Sequence, residues 1–107
     1  SDRRIKKNIV DNNVGLEKIK DIQVKNFEYR LPEEISEGLQ GSDAVDKKGI
    51  QLGVIAQELE TIFPDMVTTE STGCKTVDAD NMTWYLVNAV KELSAKVEEL
   101  ESKLNGE

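Results

Sequence analysis

Residues 81–104 read NMTWYLVNAVKELSAKVEELESKL, and the way this stretch repeats decides the architecture. Taken in sevens, Thr83, Leu86, Val90, Leu93, Val97, Leu100 and Leu104 recur at alternating spacings of three and four. That is the a/d seam of a coiled coil, which stays on one side when helices wind left-handed around each other. Lys91, Glu92, Lys96, Glu98, Glu99, Glu101 and Lys103 fill the flanks with charge. No second heptad stretch exists in the chain to cover the seam. The pattern therefore predicts that copies of the chain associate through it. The competing arrangement, an amphipathic helix lying on its own domain, calls for a wider apolar stripe.

Working back from this helix, residues 78–81 (DADN) supply candidate N-caps, and Trp84 and Tyr85 are expected to dock the helix start on what precedes it. Residues 66–69 and 75–77 flank Ser71-Thr72-Gly73 and read as a hairpin. Residues 49–64 (GIQLGVIAQELETIFP) begin as a strand through Ile50, Leu52 and Val54. They become a helix near Ala56 with Ile55, Leu59, Ile62 and Phe63 as the buried stripe, and Pro64 ends it. Residues 33–48 look like a polar loop, with room for a short helical turn over 33–39. Residues 24–31 read as a strand stopped by Pro32, with Phe27 and Tyr29 on one face. Val14, Leu16, Ile19 and Ile22 fit one face of a short helix after the turn signal Asp11-Asn12-Asn13. Residues 1–10 form a basic arm carrying Arg3, Arg4, Lys6 and Lys7. The fold class expected is α+β: one domain over 1–107, with a head of short strands and helices (1–80) and a long C-terminal helix (81–107) forming the coiled coil.

Composition narrows the chemistry. The net charge is −7, which argues against general nucleic-acid binding. No apolar run is long enough to span a membrane, and no clustered aromatics suggest a membrane-surface role. One cysteine, Cys74, precludes an intrachain disulfide. Histidine is absent, which removes Ser-His-Asp triads, Cys-His dyads and histidine metal sites. No phosphate-binding glycine loop or metal constellation is present, so no cofactor or metal is expected. A base for covalent chemistry has to be Lys, Asp or Glu.

Three stretches, in order, carry a resemblance. Ser1-Asp2-Arg3-Arg4-Ile5-Lys6-Lys7-Asn8-Ile9 is similar to the opening of the intramolecular chaperone domain at the C-terminus of phage endosialidases, tailspikes, tail fibres and neck appendages. Residues 52–60 (LGVIAQELE), followed by Phe63-Pro64-Asp65, resemble that family's central motif. Residues 85–93 (YLVNAVKEL) resemble its helix leading into the coiled coil. The resemblance implies a domain that helps an upstream fibre of the same precursor to fold and trimerise, then cuts itself off immediately before a serine, using a lysine five residues later. Those residues are Ser1 and Lys6 here, and the chain's start at Ser1 fits the downstream product of such a cut. Asp2, Gln57 and Glu58 are possible supporting residues, and Leu86, Val90, Leu93, Val97, Leu100 and Leu104 form the expected trimer interface. The resemblance also implies action in the host bacterial cytoplasm during virion assembly, with release after the cut. Partners are then other copies of the chain and the upstream passenger, with no nucleic acid and no membrane.

A Ser-Lys pair is chemically apt where histidine is missing. Free lysine titrates near ~10.4, so a lysine base working near neutrality needs burial or neighbouring cations to bring it down. Arg3, Arg4 and Lys7 are candidates for the second effect. The reaction would be single-turnover, leaving a spent serine endopeptidase. Two other readings compete. A non-catalytic coiled-coil oligomerisation module explains the heptads and leaves the arm unexplained, and a surface-binding module would use the arm alone. The oligomer number is contested as well: Val at a with Leu at d favours two parallel strands, whereas the resemblance implies three.

Overall fold

The computed structural model describes residues 1–106, so Glu107, the last residue of the expected coiled-coil segment, lies outside it. In order, the chain forms α1 (Leu16–Lys20), β1 (Lys25–Phe27), β2 (Gln51–Gly53), α2 (Ala56–Glu60), β3 (Val67–Thr69), β4 (Lys75–Val77) and α3 (Met82–Leu104). Short 3-10 turns at Arg3–Ile5, Pro32–Glu34, Gly41–Asp43 and Pro64–Met66 link them. The elements other than α3 are three to five residues long. A helix that short does not persist alone in water, so tertiary packing holds the head together.

Both sheets are antiparallel pairs. β1 meets β2 with Asn26 opposite Leu52, and β3 meets β4 with Thr68 opposite Thr76. The hairpin falls where the turn residues place it. The first strand is shorter than 24–31, because only three residues find rungs on β2. Phe27 and Tyr29 nevertheless share a face, with their rings edge to face at 5.1 Å. The Phe27 ring lies against Gly53, where a Cβ would stand 3.2 Å from the ring edge.

The core is small. Leu59, Phe63 and Met66 are buried, and Ile19, Ile22, Val54, Ile62, Val67, Met82 and Tyr85 pack around them. Tyr85 stacks on Phe63 at 4.9 Å, and the Lys18 ammonium sits over the Phe63 ring at 5.1 Å while donating to the Ile62 carbonyl at 3.1 Å. Two side chains depart from expectation. Trp84 points to solvent, 67% exposed, so Tyr85 and Met82 dock the helix without it. Adjacent helical residues lie ~100° apart, and the head covers only one of these two directions. Ile55 is not part of the buried stripe: it is the extended N-cap residue of α2, at 36% exposure. A cap residue lies outside the helical period, so its side chain leaves the stripe that Leu59 and Phe63 continue.

The radius of gyration is 19.4 Å, against about 13 Å for a compact chain of some 100 residues. Part of the excess is α3, whose exposed seam residues run on past its contacts with the head.

Candidate functional site

Asp2 builds the arm. Its Oδ1 accepts the Arg4 backbone N–H at 2.8 Å, capping the Arg3–Ile5 turn, and its carboxylate takes the Arg4 guanidinium at 2.8 Å through Nη2 and 3.2 Å through Nε. These bonds to Arg4 hold the Asp2 carboxyl below the usual range and raise the Arg4 guanidinium in turn. The turn closes with the Ile5 N–H donating to the Asp2 carbonyl and the Lys6 N–H donating to the Arg3 carbonyl. Asn8 then adopts φ 54°, a left-handed conformation that asparagine tolerates better than most side chains.

Ser1 and Lys6 stand at the two ends of this capped turn, both exposed, and no hydrogen bond joins them. Among the described residues, no hydrogen bond or ion pair of residues 1–11 reaches outside the arm. Of the four cations, Arg4 is committed to Asp2.

The arm is fastened at its root. The Asn88 side-chain amide donates to the Val14 carbonyl at 2.8 Å, the Asn12 carbonyl at 3.0 Å and Asn12 Oδ1 at 3.2 Å. Asn12 Oδ1 also accepts the Val14 N–H at 2.9 Å, so one side-chain oxygen serves both the loop and the helix. Next along the chain, Gly15 is buried directly on α3: a Cβ there would lie 2.7 Å from the Ala89 nitrogen and 2.9 Å from Asn88. Only glycine allows this approach. The sequence signal for the clamp was an asparagine in mid-helix, a weak helix former whose side chain competes for backbone bonds. Nothing local told which of the distant carbonyls it would hold.

The other proposed site residues lie apart from the arm. Glu58 Oε2 pairs with Lys25 Nζ at 2.8 Å, tying α2 to β1. Gln57 is exposed in an open groove with Arg30, Ile35, Leu39 and Gly73. Neither has a hydrogen bond or ion pair to the arm among the described residues. The seam residues Leu86, Val90, Leu93, Val97, Leu100 and Leu104 are all exposed, from 44% at Leu86 to 86% at Leu104. The head packs on α3 through Met82, Tyr85, Asn88 and Ala89, a strip that runs beside the seam, since Met82 and Leu86, and Ala89 and Leu93, are one helical turn apart. No helix among the described residues is long and apolar enough to cross a membrane.

Comparison with known proteins fits this layout. Residues 1–68 match a peptidase family described as chaperone of endosialidase. The chain is 36% identical, over 97% of its length, to the long tail fiber protein Gp37 of Enterobacteria phage K3 and likewise to that of Enterobacteria phage T2. It spans only 8% and 7% of those proteins, respectively.

Proposed function

This chain belongs to the chaperone-of-endosialidase family, and from that premise we propose that it is the intramolecular chaperone of a phage fibre, trimerising through α3 and releasing itself by a cut before Ser1. The observation that carries the assembly half is the bare seam: six large apolar side chains in heptad register that the head leaves uncovered. Burying a Leu or Val is worth about 1.5–3 kcal/mol, so association through these positions repays the ordering of three chains. While attached, the trimer holds three fibre ends in register and lowers the entropy lost in starting an intertwined fold. Once it is released, the fibre persists by its unfolding barrier. The setting is the host bacterial cytoplasm during virion assembly.

In the cutting half, the Ser1 hydroxyl oxygen attacks the carbonyl carbon of the residue before it, and Lys6 Nζ takes the hydroxyl proton. The tetrahedral intermediate collapses, the C–N bond breaks, and Nζ returns the proton to the departing Ser1 nitrogen. Water hydrolyses the resulting ester, freeing the upstream carboxyl group and restoring the hydroxyl. Asp2 shapes the turn that separates the two groups. Lys6 is exposed in the single chain, so the cover that makes a lysine an effective base comes from upstream residues or neighbouring copies.

The test uses a precursor carrying residues upstream of Ser1. It should yield two pieces without added protease, the second beginning at Ser1. Ser1→Ala and Lys6→Arg should both leave full-length chain on a denaturing gel with native mass unchanged, because guanidinium stays protonated at working pH. Cutting that survives Lys6→Arg removes Lys6 as the base. A wild-type precursor that stays whole leaves only an oligomerisation module.

A further inference from the structure

Asn88 is a long way from Ser1 in sequence, yet it holds the first long-range anchor of the arm among the described residues. Counting from the N-terminus, residues 1–11 make hydrogen bonds only among themselves within the described residues, and the first bonds to the rest of the molecule are those from Asn88 to Asn12 and Val14. The direction in which the arm leaves the molecule is therefore set at this root. The two N–H groups of one amide reach three acceptors and fix the loop to one point of α3, and one residue later Gly15 packs so closely on the helix that no side chain would fit. The same helix carries the seam, with Leu86 and Val90 on either side of Asn88. A rigid helix with a fixed seam thus hands a fixed origin to the arm.

Resting on the reading above, in which Ser1 and Lys6 perform the cut, we infer that Asn88 is a positioning residue for that cut: its amide, through Asn12 and Val14, places the arm relative to the trimer axis. It touches no reacting atom. Its effect is on how often the arm occupies the productive place, and small misplacements of reacting groups cost large factors in rate.

The hydrogen-bond polarity gives a test that packing alone does not mimic. Asn88 must donate; Asn12 Oδ1 must accept. The same chemical change, Asn→Asp, therefore has opposite consequences at the two ends of one bond. Asn88→Asp puts a carboxylate against two carbonyls and an acceptor oxygen. Asn12→Asp keeps the acceptor for both the Asn88 amide and the Val14 N–H. In the precursor, Asn88→Asp should cut about 10- to 100-fold more slowly than wild type, whereas Asn12→Asp should cut within about twofold of wild type, both with native mass unchanged. A spin label at Ile5→Cys, in a Cys74→Ser background of the released protein, should be more mobile with Asn88→Asp than with Asn12→Asp. This second readout needs no cutting, so it stands apart from the dyad. Equal rates and equal label mobility in the two variants would overturn the inference and leave the Ser1–Lys6 chemistry untouched. A slow Asn88→Asp that has also lost its native mass or its helix content would overturn it too, since the residue would then be holding the fold.

Discussion

One helix, α3, presents two faces in opposite conditions. Toward the head, Met82 and Tyr85 pack on the core, the two N–H groups of the Asn88 amide reach three acceptors and Ala89 is buried under Gly15. On the seam face, Leu86, Val90, Leu93, Val97, Leu100 and Leu104 stand exposed. The satisfied face is irregular, built from one thioether, one aromatic, one amide and one small residue. The bare face is periodic. An irregular contact joins two unlike surfaces within a chain; a strict repeat of three and four suits a surface that meets copies of itself. The contrast gives one face to folding, and under the proposed function the other serves assembly.

The largest expected effect comes from breaking the periodic face. Leu93→Lys places like charges together in the seam of every copy, and the oligomer should disappear in light scattering while the head stays folded. If the mass is unchanged, the seam is not the interface. Next is the core beneath the irregular face. Leu59 is the most buried side chain, and Leu59→Ala should lower head stability by about 2–5 kcal/mol in a denaturant melt. Ile55→Asp, four residues earlier, should change it by no more than about 1 kcal/mol, because an aspartate at an N-cap gains a backbone bond that isoleucine lacks. A collapse of the head in this variant would restore Ile55 to the core.

The smallest effect concerns the arm. Asp2 is held below its ordinary value of 3.8 by Arg4, so its bonds contribute above that value and are lost as pH falls through the lowered one. The group is exposed and the gain is slight. Acid titration followed by NMR should move the Arg4 amide below pH 3.8 while the α3 amides stay in place. Concerted movement of both would mean that the arm and helix are coupled more tightly than one clamp provides.

Much of this was legible in the sequence where periodicity or turn chemistry spoke. α3 begins and ends within a residue of its expected bounds, and the hairpin sits on its predicted strands. Trp84 was misread because bulk and aromaticity favour burial on average, while its direction on the helix is decided by where the head sits. Ile55 was misread because a cap residue breaks the helical period just where the stripe was being counted. The clamp from Asn88 to Asn12 joins residues 76 apart, and no local pattern encodes a hydrogen bond at that separation. Glu58, a motif residue, turned out to tie β1 to α2. The arm's sequence suggested chemistry, and the structure adds its internal cap and its root.

The central claim is that the bare face of α3 gathers three chains. Sedimentation equilibrium of the 107-residue chain tests it directly, because one chain weighs 12.0 kDa and the three outcomes are well separated. A mass three times that value is the expected result. Twice that value would mean that the Val-at-a, Leu-at-d preference governs the number of strands, and the mass of a single chain across the micromolar range would contradict the account.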